Sequence, residues 1–218
     1  MDSFTPTTWL LEEARILAED GKTPVALMSP ANLLEGPPGP VRPAGLSEGI
    51  QVFRSGWMWR DLASSSWLPR HRLTFERSAA SVAKAAATLG VRCVLYPKAD
   101  DVISDLPSLT TFLHSPGGKH WSVLADPTGL LTEEMVPAAD EHLARLMAGL
   151  LQLERTWALV LRDTATTSTG LRPAPLSMTG LVTAPLLAAW RNAKRAKDIP
   201  IVLLADDAPS QRALLAPN

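Results

Sequence analysis

Charged residues gather at the trailing ends of short apolar runs in this sequence, and those positions are where its chemistry would be done. Asp126 closes the run WSVLAD, Arg162 and Asp163 close WALVLRD, and Asp206 with Asp207 follows IPIVLLA. Ser29, the pair Arg54 and Ser55, and Lys98 stand at the ends of three earlier runs. A charge at the end of an apolar strand loses hydration unless it meets solvent, a partner or a ligand. Each such residue can simply be the first loop residue after its strand. Taken together, they can also line one cleft. Asp126, Asp163 and Asp206 would then supply an acid, a base or the ligands of a divalent cation, while Arg54, Lys98 and Arg162 would hold a phosphate. Trp57 and Trp59, with Trp67 close by, offer either a wall for a sugar ring or ordinary packing. His71, in PRHRL, lies near enough in sequence to that segment to reach a cleft.

These positions have to be set by strands. Six β-rich runs, at 25–29, 50–55, 92–97, 121–126, 157–163 and 199–206, alternate with helical patterns. Several are continuously apolar, as strands covered on both faces are. Between them, 74–89 is an Ala-rich amphipathic stretch with Thr74 placed to cap it and Gly90 to end it. The segment 132–153 carries Glu133 and Glu134 behind Thr132, and 183–197 starts at Thr183 with Pro185 in its first turn. Helices are also expected at 8–20, 106–114 and 209–215. The alternation predicts a parallel α/β domain spanning 1–218. Right-handed crossovers leave two solutions: a (β/α) barrel, incomplete or irregular at this length, or an open doubly wound sheet. Either one puts its site at the C-terminal strand ends. Two stretches break the rhythm, a Pro/Gly-rich excursion at 34–46 and the Trp-rich segment 54–72.

Composition narrows the function. The 218 residues hold 21 Lys+Arg and 22 Asp+Glu, a net charge of −1 that argues against nucleic acid and anionic membranes as partners. The single cysteine, Cys93, rules out a disulfide framework and a thiolate metal site. No apolar run approaches a bilayer span, and no secretory signal is evident, so a cytoplasmic location is expected. There is no phosphate loop, no dinucleotide fingerprint, no nucleophile elbow and no H-E-x-x-H. His114, His120 and His142 have positions that suit structural roles, and TATTSTG (164–170) forms a hydroxyl-rich loop.

Residues 73–206 resemble the xylose-isomerase-like barrels, the sugar phosphate isomerase/epimerase superfamily. The resemblance is carried by SVAKAAATLGVRCVLYPKA, by WSVLADPTGLL (similar to the strand ending in a metal-ligating Asp), by WALVLRD (similar to the His-x-Lys-Asp strand) and by PLSMTG before IPIVLLADD. It implies a TIM barrel, with Asp126 at a metal-ligand position and Asp163 as the strand-terminal aspartate. The departures matter as much. Gly129 and Val160 stand where the family has histidines, Leu204 where it has a carboxylate (with Asp206 nearby), and no glutamate-bearing strand is recognisable between Lys98 and Trp121. One matched ligand does not make a divalent site.

The expectation is therefore a degenerate isomerase-like barrel that binds a small polar metabolite (a sugar or sugar phosphate) or a protein partner, with no cofactor. Two alternatives accompany it. In one, an active isomerase or epimerase uses Asp126, Asp163 and Asp206 with a cation such as Mn or Mg. In the other, a non-enzymatic interaction protein presents the Trp/Pro-rich surface. Oligomeric state is not readable from these residues.

Overall fold

The structure is a computed structural model, and it describes residues 7–12, 14–38, 49–57, 68–193 and 198–216. Its strands are β1 (Thr8–Glu12), β2 (Arg15–Leu17), β3 (Pro24–Met28), β4 (Gly49–Phe53), β5 (Val91–Leu95), β6 (Trp121–Ala125), β7 (Thr156–Val160), β8 (Asp163–Thr167), β9 (Gly170–Ala174) and β10 (Ile201–Leu204). Its helices are α1 (Pro69–Leu89), α2 (Leu106–His114), α3 (Ala139–Gln152), α4 (Thr183–Asn192) and α5 (Ala208–Leu215). Eight strands close a barrel in the order β1-β10-β7-β6-β5-β4-β3-β2. The pairs β1–β10, β10–β7, β3–β4, β4–β5 and β5–β6 run parallel. This is the α/β barrel anticipated, and closure sets aside the open-sheet alternative. Its irregularity lies in the helices: among the described residues, none falls between Thr8 and Phe53.

Four local expectations are corrected. The described residues of 8–20 form no helix and instead hold the strands β1 and β2. The helix-forming residues there yield to pairing with β10: Thr8, Trp9, Leu10 and Leu11 lie opposite Ile201, Val202, Leu203 and Leu204, so long-range pairing overrides local propensity. The hydroxyl-rich loop is a β-hairpin, with β8 antiparallel to β9. Helix α1 starts at Pro69, whose missing N–H costs nothing in the first turn, so Thr74 is interior and its hydroxyl donates to the Arg70 carbonyl. The 132–153 pattern divides into a 3₁₀ segment, Glu133–Ala138, which contains Pro137, and α3. Proline cannot donate the backbone hydrogen bond that a continuous α-helix would need there.

The chain forms two compact units. The first holds β1, Leu17–Thr23 and the described residues from Ala125 onward. The second holds residues 14–16 and those described from Pro24 to Leu124. In the first unit, β10 lies between β1 and β7 with Ile201, Val202 and Leu203 fully buried, and Trp9 and Trp157 bring their rings to 5.1 Å. In the second, an aromatic chain joins strands to helices. Phe53 of β4 meets Trp121 of β6 at 5.4 Å, Trp121 meets Phe112 of α2 at 6.2 Å, and Phe112 meets Phe75 of α1 at 4.8 Å. All four are fully buried.

Phe112 lies in the middle of that chain. Phe112→Ala is expected to lower the unfolding free energy by about 3–5 kcal/mol, as other large-to-small core changes do. Urea unfolding followed by circular dichroism checks it, and a loss under about 1 kcal/mol would show that this cluster is not a core.

Candidate functional site

In the second unit the strand register sets the polar positions. Ile50 lies opposite Arg92 and Val52 opposite Val94, while Gln51 and Phe53 share the other face with Cys93 and Leu95. Side chains alternate along a strand, so Arg54 and Tyr96 continue the Val52–Val94 face one step past the ends of β4 and β5. The Tyr96 N–H donates to the Phe53 carbonyl at 2.8 Å and prolongs the ladder there.

Arg54 meets a carboxylate that the sequence reading did not select, Asp101. The Arg54 Nε donates to Asp101 Oδ2 at 3.1 Å and its Nη2 donates to Oδ1, a two-point contact. Asp101 is fully buried, whereas the Arg54 side chain keeps 35% of its exposure. The guanidinium carbon lies 4.6 Å from the centre of the Trp57 ring. Four backbone-level links hold this arrangement together. Trp57 bridges Asp101, the Val102 N–H donates to the Gly56 carbonyl, the Ile103 N–H donates to the buried Ser55 Oγ, and the Asp101 N–H donates to the Lys98 carbonyl. Gly56 is required here. Its φ is +103°, and a Cβ would lie 2.6 Å from Asn32 Oδ1 and 2.9 Å from Leu34 Cγ. Asn32 in turn grips Trp57, accepting its N–H at 3.3 Å and donating to its carbonyl at 2.9 Å. Lys98 lies beside them with its ammonium 3.7 Å over the Tyr96 ring.

Burial pushes the Asp101 carboxyl up from 3.8 to about 6, against the opposing pull of Arg54 and Lys98 and with a small push from Asp100. Loss of hydration disfavours the charged form more than the arginine favours it.

In the first unit, Asp126 and Arg162 form a second buried pair across the ends of β6 and β7. The Arg162 Nε donates to Asp126 Oδ2 at 2.9 Å, with 6% of the arginine side chain exposed and none of the aspartate. The other carboxylate oxygen, Oδ1, accepts the Thr128 hydroxyl and the Gly129 N–H, each at 2.8 Å. Gly129, which stands where the resembled family has a histidine, thus contributes a backbone donor to Asp126.

Asp163 serves the fold. Its Oδ1 accepts the N–H groups of Thr164 at 2.6 Å and Val182 at 2.9 Å, and its Oδ2 accepts the Thr183 hydroxyl at 2.7 Å. The carboxylate therefore lies beside the positive end of α4, and Thr183, expected as its cap, is instead the first helical residue, with Val182 at the cap position and no side-chain capping bond. Gly180 makes room for it, because a Cβ there would overlap Asp163 Oδ2. The PLSMTG turn is thus shaped around a buried aspartate. Asp206 is exposed beyond β10, and its carbonyl accepts the Gln211 amide at 2.6 Å.

Among the described residues, no group of three or more His, Cys, Asp or Glu side chains could hold a metal ion. The divalent cation that the resemblance implies therefore does not fit the described residues, since the best-matched ligand, Asp126, already has an arginine, a hydroxyl and an amide on its oxygens. His71 lies in the first turn of α1, where its Nε2 accepts from the Arg70 Nε at 3.3 Å. Trp59 and Trp67, and most of the Pro/Gly-rich excursion, lie outside the described residues. The one signal that could have found Asp101 is the acidic pair Asp100–Asp101 just beyond Lys98.

No protein-family model and no curated protein matches the sequence. Among solved structures, the chain is similar to a xylose isomerase-like TIM barrel protein from Mycobacterium smegmatis in complex with magnesium, at 14% identity and a TM-score of 0.45, over 77% of this chain and 58% of that one. It is also similar to mannonate dehydratase from Streptococcus suis serotype 2, at 13% identity and a TM-score of 0.46, over 78% of this chain and 64% of that one. The chain thus spans less than two thirds of either. The closed strand order, not these likenesses, carries the fold. No described helix is long and apolar enough to cross a membrane.

Two outcomes follow from the buried pairs. Arg162→Ala strands the Asp126 carboxylate without its cation and should cost about 3–5 kcal/mol in chemical unfolding, with Asp126→Asn costing less; equal, near-zero losses would show that the pair is not buried in solution. Asp101 is protonated more readily folded than unfolded, so the stability it contributes is fully present below its ordinary 3.8 and is lost as the pH rises through about 6. The span of that loss is on the order of 3 kcal/mol. Compared with Asp101→Asn, the unaltered chain should gain melting temperature as the pH falls from about 7 to about 5, and parallel profiles for the two would refute the assignment.

Proposed function

We propose that the chain is a binding barrel for a small polar metabolite of the sugar or sugar-phosphate class, and that it works without a metal ion. The observation that carries this reading is the saturation of Asp126. At the position where the resemblance implies a metal ligand, a guanidinium supplies the positive charge, and Thr128 and Gly129 take the remaining oxygen. A hard divalent cation needs six or so oxygen ligands at about 2.0–2.6 Å, and a carboxylate held this way is a poor donor to one. Aldose–ketose isomerisation needs a base beside the carbon-bound proton and an electrophile on the carbonyl. Asp163, the other strand-terminal carboxylate, is fully hydrogen-bonded at the start of α4 and is badly placed for either task. What supports binding is the pairing of cationic and aromatic side chains at C-terminal strand ends, where barrels of this kind hold their ligands.

The test is metal analysis of the purified chain by plasma mass spectrometry, followed by calorimetric titration with fructose 6-phosphate and with xylose, with and without EDTA. Metal well below one ion per chain, and saturable binding of at least one of these probes that EDTA does not change, are the expected results. Stoichiometric Mn, Mg or Zn, or binding abolished by EDTA, refutes the metal-free reading. No heat with either probe refutes the ligand class.

A further inference from the structure

We propose that Arg54, gripped along one edge by Asp101 and stacked by Trp57, is a preorganised receptor for a single oxyanion, the phosphate or carboxylate group of a small molecule, at the C-terminal end of β4. A guanidinium has two edges that can each present paired N–H donors. Asp101 takes the edge made by Nε and Nη2. Trp57 takes one of the two faces. Among the described residues no hydrogen bond is made by Nη1, so the outer edge, Nη1 with the second proton of Nη2, remains, and the side chain is 35% exposed.

The construction of the site argues for positioning, not for a surface ion pair. Exposed arginines ordinarily sample many rotamers, and fixing one costs entropy that an exposed ion pair barely recovers. Here the partner carboxylate is fully buried, and its backbone and that of Trp57 are bridged to each other. Ser55 and Gly56 are hydrogen-bonded to Ile103 and Val102, and Gly56 holds a left-handed φ of +103° that no other residue type adopts easily. Burial has raised the Asp101 carboxyl toward neutrality, which is a standing cost to the fold at neutral pH. Packing alone would be served as well by an apolar pair of the same volume. The arrangement leaves an arginine whose plane, height and open edge are set before any ligand arrives, and preorganised donors of this kind favour planar or tetrahedral oxyanions by two-point contact.

The proposal gives the metabolite-binding reading its chemistry, but its geometry belongs to the second unit alone. The test uses the full chain labelled with ¹⁵N-arginine. The Arg54 side-chain N–H signals are followed by NMR during titration with inorganic phosphate and, separately, with acetate, at an ionic strength held constant with chloride. A saturable shift with phosphate, with acetate or with both supports the site, and the comparison of the two arms tells which oxyanion it prefers. Arg54→Lys keeps the charge and loses the two-donor edge, so its affinity, read by calorimetry, should fall about tenfold. A shift no different from that produced by chloride, or an Arg54→Lys chain that binds as tightly as the unaltered one, overturns the proposal. If Arg54→Lys does not fold, the titration of the unaltered chain decides by itself. A chain that contains stoichiometric metal and still shows the Arg54 shift refutes the metal-free reading and leaves this site standing, and the reverse pattern does the opposite.

Discussion

A carboxylate taken out of water must be handed hydrogen-bond donors, and three buried aspartates set the local structure around them. Asp101 receives two N–H groups from Arg54. Asp126 receives Arg162, Thr128 and Gly129. Asp163 receives two backbone amides and the Thr183 hydroxyl. Each demand reaches into the neighbouring chain. Gly180 has no side chain because Asp163 fills the space, and Gly56 turns as it does so that Trp57 can bridge Asp101 and lie against Asn32.

The same constraint separates the three chemically. Asp163 is committed to opening α4, a structural duty. Asp126 is paired with an arginine that is itself buried, so both partners have lost solvent and neither presents a charge outward. Asp101 differs because its arginine stays partly in water. A buried anchor holding a half-exposed cation converts a costly burial into a directed donor, and this asymmetry is what singles out Arg54 among the cations at strand ends.

The resemblance to xylose-isomerase-like barrels and the geometry of the strand ends agree on architecture and part company on chemistry. A closed, mostly parallel barrel accounts for the order of strands whatever its active residues are, because backbone hydrogen bonds and alternating apolar side chains suffice to close it. Metal chemistry requires particular side chains converging on a point. Gly129, Val160 and Leu204 stand where the resemblance implies ligands, and Arg162 lies against the aspartate that remains.

The runs at 25–29, 50–55, 92–97, 121–126, 157–163 and 199–206 were legible as strands, each overlapping one of the observed strands, because continuous apolar stretches bounded by turns have few other uses, and the glycine ending α1 was legible because a left-handed cap selects it. The polar residues that follow those runs, Arg54, Asp126 and Arg162 among them, were legible as candidates for the same reason. Which of them meet was not. Arg54 finds Asp101 across 47 positions and Asp126 finds Arg162 across 36, and nothing local marks such a pair. Residues 8–11 became a strand because β10, nearly two hundred positions away, offered them a backbone to pair with. Periodicity and composition act over a few residues and settle what each segment can be. Burial, partner and charge state arise only when distant segments share one dehydrated space, and those belong to the tertiary structure.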